Sequence, residues 1–176
     1  MPELSFTGPG CTTLPPTACL VLRGALAVRT AAAQALHIPI PEQPCRALEQ
    51  AGRAALWLGP DERLLLLSRA ESLDAIDALE AALHGLPHAV VDVSQRQIAL
   101  AVSGALAVPL LNAGCPLDLD PLVFPVGACT RTLLAKAEIV LWRRQDEEFQ
   151  LQVWRSLAAY VAQFLSEAVR DLATVA

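Results

Sequence analysis

A chain of 176 residues holds one ordinary domain, or two small subdomains sharing a core, and is too short for two independent ones. Its 18 acidic residues outnumber 13 Lys and Arg, the net charge is -5, and no basic block exists to track a phosphate backbone, which excludes nucleic-acid binding. Apolar residues reach 54% and charged ones only 18%, against about 45–50% and about 25% in an average soluble domain, so part of the apolar surface is expected to meet a partner.

Residues 1–17 are rich in Pro, Gly and Thr without an apolar period and read as an arm, flexible alone or laid along another surface. Residues 18–176 read as a single domain, with a join between two subdomains placed near residues 39–53. "ACLVLRG" (Ala18 to Gly24) has the composition of a buried strand, and "ALAVRTAAAQALH" (Ala25 to His37) that of a helix stopped by the prolines of "IPIPEQP". Two apolar arms, Ala54 to Leu58 and Arg63 to Leu67, flank "GPDE", whose Gly59, Pro60 and Asp61 favour chain reversal, so a hairpin is expected. Ser68 and Glu71 have capping-box spacing ahead of a helix in which Leu73, Ile76, Leu79 and Leu83 form the apolar stripe and Gly85 the C-terminal cap.

"HAVVDVSQRQIALAVSG" reads as two consecutive strands, "ALAVPLLNAG" as a short helix candidate troubled by Pro109, and "CPLDLDPLVFPVG" as a proline-punctuated connection. Three more strands follow in "CTRTLLA", "AEIVLWRR" and "FQLQVWR". From Ser156 as N-cap, Leu157, Val161, Phe164, Ala168 and Leu172 define a terminal amphipathic helix. The expected fold is therefore α+β, mainly antiparallel sheet with three packed helices. No apolar run reaches the roughly 18 residues of a membrane helix, and the first residues lack the charged and apolar regions of a signal peptide, so the chain reads as cytoplasmic.

The chemical candidates are few. Asp61 and Glu62 could divide acid and base roles, but the turn already accounts for them. His84 and His88 have the spacing of helical metal ligands, yet Gly85 and Pro87 between them break the helix that would align them. Five cysteines without a C-x-x-C pair read as free thiols, and Cys115 and Cys129 as core residues rather than nucleophiles. Asp92, Ser94 and Arg96 alternate, so on a regular strand they share one direction, either as a turn-capping network or as part of a ligand site. Trp57, Trp142 and Trp154 suit core or interface packing.

Five segments in order, "ALWLGPDERLLLL", "VVDVSQRQIALAVSG", "GCPLDLDPLVFPVGACTRTLLAKAEIVLW", "FQLQVWRS" and "SLAAYVAQFL", resemble the gamma subunit of heterotetrameric sarcosine oxidase. The resemblance implies a fold like the folate-binding region of aminomethyltransferases. It also implies a place in a complex that oxidatively demethylates sarcosine to glycine, with FAD, FMN, NAD and tetrahydrofolate carried by the partner subunits. No catalytic, cofactor-binding or metal-binding residue is implied for this chain. Leu58, Gly59, Pro60, Asp61 and Glu62 match a family motif and so read as an organised hairpin, in which Asp61 and Glu62 accept backbone or arginine hydrogen bonds. Arg63 stands where the family is commonly aromatic. The leading expectation is a non-catalytic, assembly-supporting subunit. The alternatives are a stand-alone folate-binding or one-carbon transfer module using Asp92 or Arg96, and a cysteine-dependent enzyme resting on Cys115 and Cys129.

Overall fold

A computed structural model describes residues 7–8 and 10–175. In chain order the strands and helices are β1 (Thr7–Gly8), β2 (Cys11–Thr13), β3 (Thr17–Gly24), α1 (Leu26–Leu36), β4 (Ala47–Gln50), β5 (Arg53–Trp57), β6 (Glu62–Ser68), α2 (Ser72–Ala82) and β7 (His88–Asp92). They continue with β8 (Gln97–Ser103), α3 (Ala107–Asn112), β9 (Cys129–Leu134), β10 (Ala137–Gln145), β11 (Glu148–Trp154) and α4 (Ala158–Val175). The described residues fall into two compact units: Pro16–Gln95, and the residues up to Pro15 together with those from Arg96 onward. Residues 39–53, where the sequence suggested a join, lie inside the first of these.

The Pro16–Gln95 unit is a five-stranded sheet in the order β4-β5-β6-β3-β7, with every pairing antiparallel. Alternation along the strands sends Ala18, Leu20 and Leu22 of β3, Ala55 of β5, and Leu65 and Leu67 of β6 to one face. There they pack with Val28, Ala32 and Leu36 of α1 and Ala75, Leu79 and Leu83 of the α2 segment. The intervening residues Cys19, Leu56, Leu64 and Leu66 are buried as well, which is why "LLLL" reads as an unbroken apolar run rather than an alternating one. Gly24 permits a tight passage from β3 into α1, since a Cβ there would lie 2.6 Å from Val28 Cβ.

Helix α2 begins after a short 3-10 turn, with a Glu71 oxygen accepting the Ser68 backbone N–H at 3.1 Å. Leu73 departs from the expected stripe: it is 76% exposed, because Ala75 and Leu79 occupy the inward direction. Arg53 reinforces this end of the unit by donating to the Leu36 carbonyl at the C-terminus of α1 (2.6 Å) and pairing with Glu71.

The second unit is a six-stranded antiparallel sheet in the order β1-β2-β8-β11-β10-β9. Leu100 and Val102, Ile139 and Leu141, and Phe149, Leu151 and Val153 line one face and pack with Leu110 and Leu111 of α3 and Val161, Leu165 and Ala168 of α4. Within the stretch expected as an arm, Cys11 to Thr13 pair with Val102 to Leu100 of β8, so part of it is sheet; residues 1–6 and 9 lie outside the described residues.

Among the described residues there are four α-helices rather than three packed ones. Pro109 falls in the first turn of α3, where backbone N–H groups have no intrahelical partner to lose, and so does not prevent that helix. Ser156 is not an N-cap: it lies inside a 3-10 turn, Arg155–Leu157, that precedes α4. Among the described residues no helix is long and apolar enough to cross a membrane.

Candidate functional site

The hairpin between β5 and β6 is closed by its own backbone. Glu62 N–H donates to the Gly59 carbonyl at 3.2 Å, and Leu58 and Gly59 N–H donate to the Glu62 carbonyl at 3.1 and 3.2 Å. Pro60 and Asp61 occupy the two central turn positions, as their backbone preferences dictate. The Asp61 carbonyl accepts the Gly24 N–H at 3.0 Å, tying the turn to the end of β3.

The side chains then follow from register. Arg23 lies directly opposite Glu62 across the β3–β6 ladder and forms an ion pair with it, with Asp61 at 3.8 Å on the same guanidinium. Arg63 takes the next position and points to the core-facing side shared with Leu65 and Leu67, where it is 1% exposed. A buried guanidinium requires acceptors. It donates to the carbonyls of Pro41 (2.8 Å), Gly59 (2.7 Å) and Glu62 (2.9 Å) and lies over the Trp57 ring at 5.6 Å. The "PDE" knot thus supplies acceptors for two arginines, and both its carboxylates face Arg23.

Asp92, Ser94 and Arg96 do not share a direction, because β7 ends at Asp92 and the chain turns before β8. Asp92 accepts the Ser94 N–H at 2.8 Å and its hydroxyl proton, while Ser94 Oγ accepts the Cys19 N–H at 2.9 Å. This is an Asx-type turn fastened to β3. Arg96 belongs to the other unit and stacks over the Trp154 ring at 4.2 Å.

His84 and His88 are separated by Gly85 in the left-handed region (φ +79°), and His88 sits in β7; among the described residues no group of His, Cys, Asp or Glu could hold a metal ion. None of the five cysteines is in a disulfide. Burial pushes the Cys11 and Cys19 thiols up to about 11, which keeps them protonated and unreactive at neutral pH. Cys115 is buried with its sulfur 3.9 Å from Thr132 Oγ1, and Cys129 is fully buried at the start of β9.

Two features escape the sequence reading. Arg143, 2% exposed, follows Ile139 and Leu141 on the core-facing alternation of β10 and donates to the carbonyls of Leu119 (3.0 Å), Phe124 (2.7 Å) and Asp146 (2.7 Å). Strict period-two counting would have flagged it. Gln152, 2% exposed on β11, has neither amide atom bonded, and lines a small polar recess with Arg96, Gln97 and Trp154. Such a recess suits ordered water. Nothing in the residue pattern marks it, since it depends on register across strands.

Comparison with known proteins is consistent with this geometry. The family model described as "Sarcosine oxidase, gamma subunit family" matches residues 23–171. The sarcosine oxidase subunit gamma of Corynebacterium sp. (strain U-96) is 33% identical over 120 residues, covering 68% of this chain and 58% of that protein, so the match spans less than two thirds of that relative's length. A chain of the heterotetrameric sarcosine oxidase from Corynebacterium sp. U-96 in complex with pyrrole 2-carboxylate superposes with a TM-score of 0.85 at 29% identity, covering 95% of this chain and 88% of that one. The glycine cleavage system aminomethyltransferase T from Bartonella henselae gives a TM-score of 0.64 at 16% identity over 87% of this chain and 44% of that one, a likeness of fold alone.

Proposed function

Since the chain belongs to the sarcosine oxidase gamma subunit family, we propose that it is a non-catalytic subunit of a heterotetrameric flavoenzyme that oxidatively demethylates sarcosine to glycine. The observation that carries this reading is the superposition on a heterotetrameric sarcosine oxidase chain over 95% of the present one. Under it, FAD, FMN, NAD and tetrahydrofolate reside on the partner subunits, the complex works in the cytoplasm, and this chain contributes surface rather than chemistry.

The placement of the candidate residues supports a structural role. Asp61 and Glu62 face an arginine, Asp92 and Ser94 fasten a turn, and Cys115 and Cys129 are buried. A structural reading of the two residues named for the stand-alone folate module is likewise supported by Asp92 bonding within a turn and Arg96 stacking on Trp154. Co-expression of this chain with the other subunits of the enzyme tests the proposal. Co-elution in one complex, with oxidation of sarcosine by that complex and none by this chain alone, is the expected result. A chain that stays monomeric beside well-expressed partners, or that turns over sarcosine unaided, overturns it.

A further inference from the structure

The segment from Asp118 to Gly127 exposes apolar side chains that a free surface has no reason to hold still. Leu122 is 94% exposed, Val123 63% and Val126 50%, within five residues of chain. Yet the backbone beneath them is tightly bonded. Asp118 accepts the Asp120 N–H at 2.9 Å, Asp120 accepts the Leu122 N–H at 2.8 Å, and the Asp120 carbonyl accepts the N–H groups of Val123 and Phe124. Phe124 turns inward and is 7% exposed. Arg143 holds the Leu119 and Phe124 carbonyls from below and, through the same guanidinium, the Asp146 carbonyl of the β10–β11 turn.

Arg143 therefore ties the loop that carries the apolar knuckle to the β10–β11 turn, and the loop's Asp118 and Asp120 and the turn's Asp146 and Glu147 are all exposed, an acidic surround for the knuckle. Pre-ordering of this kind lowers the entropy lost on association, and apolar anchors within a charged rim are the usual arrangement of a docking centre. A second copy of the chain is a poor occupant, because a two-fold contact sets this acidic rim against itself on a chain of net charge -5.

We infer that the knuckle of Leu122, Val123 and Val126 inserts into an apolar pocket rimmed by Lys or Arg on a different subunit of the enzyme complex. The inference rests on the assignment of this chain as one subunit of that complex and adds the surface through which it is held.

The test uses the full chain co-expressed with the other subunits of the enzyme and reads the dissociation constant of this chain from the complex, together with its own melting temperature. Leu122→Ser with Val123→Ser is expected to weaken binding by about tenfold or more without shifting the melt, because both side chains are already in water before assembly. Asp146→Asn with Glu147→Gln is expected to weaken it by about threefold and to flatten its salt dependence. Wild-type affinity in either variant overturns the knuckle while leaving the subunit assignment intact. Failure of the wild-type chain to join the complex overturns that assignment and the knuckle with it. Concentration-dependent self-association of the wild-type chain that the serine variant abolishes identifies a second copy as the occupant and also overturns the inference.

Discussion

The β5–β6 hairpin and the Asp118–Gly127 loop are built on one device and end in opposite surfaces. Each has a buried arginine on the core-facing alternation of a strand, Arg63 or Arg143, and each arginine holds a proline-containing loop by its backbone carbonyls. In the hairpin the side chains above that anchor are Asp61 and Glu62, both turned to Arg23. In the loop they are Leu122, Val123 and Val126, turned to solvent. Rigidity is therefore common to both, and what each surface can do follows from the residues at its tip. A turn whose charges are satisfied within the chain is finished; one that holds three apolar side chains in water has interaction energy still to gain.

The comparison breaks first at the anchors. Arg143→Met should cost the most, about 3 kcal/mol or more in chemical denaturation, because the Leu119 and Phe124 carbonyls draw their bonds among the described residues from this side chain. Arg63→Met should cost less, about 2 kcal/mol, since of the three carbonyls it bonds here those of Gly59 and Glu62 keep backbone partners and that of Pro41 loses its donor. Equal losses would mean that the two loops do not depend on their anchors in the way the bonding indicates.

Smaller effects sharpen the contrast at the tips. Asp61→Asn with Glu62→Gln removes the pairing to Arg23, whose side chain is 53% exposed, so the loss of stability should fall below that of either arginine variant. Assembly should be unchanged, whereas the serine pair at Leu122 and Val123 should do the reverse. The smallest effect is one of pH. Hydrogen bonding to Ser68 and then the Arg53 guanidinium hold the Glu71 carboxyl below its ordinary value of 4.5. Its contribution is thus complete above that value and lost as pH falls through the lowered one. Urea midpoints measured from pH 6 down to pH 3 should decline less steeply for Glu71→Gln than for the wild type.

Much of this was legible in the residues because local signals agreed. The β5–β6 arms, the Ser68–Glu71 spacing and the α4 period each rest on chemistry within one turn or one strand, and each element forms within a few residues of its expected place. What was not legible depends on pairing at a distance. Asp92, Ser94 and Arg96 look like one row only if the strand continues. The structure ends it at Asp92, whose carboxylate takes the Ser94 N–H in a turn; on either side of that turn Val93 still bonds the Cys19 carbonyl of β3 and Arg96 accepts from Arg155 beyond β11, so the two flanking segments belong to different sheets. Leu73 departs from its expected stripe for a related reason: helical spacing shows a stripe, but the sheet beneath selects which side of it is covered. The buried arginines hide in plain sight, since composition treats Arg as surface and only register places it inside.

Strand β2 pairs with β8 across about ninety residues of chain, Cys11 opposite Val102. During synthesis the whole Pro16–Gln95 unit is made before β8 exists to receive β2. Strand β2 must therefore wait, unsheathed, while its neighbour downstream matures. Removal of that strand by a protease or a shortened reading frame would leave one flank of β8 with open ladder positions, and a ragged sheet margin of that sort is an invitation to amyloid-like stacking.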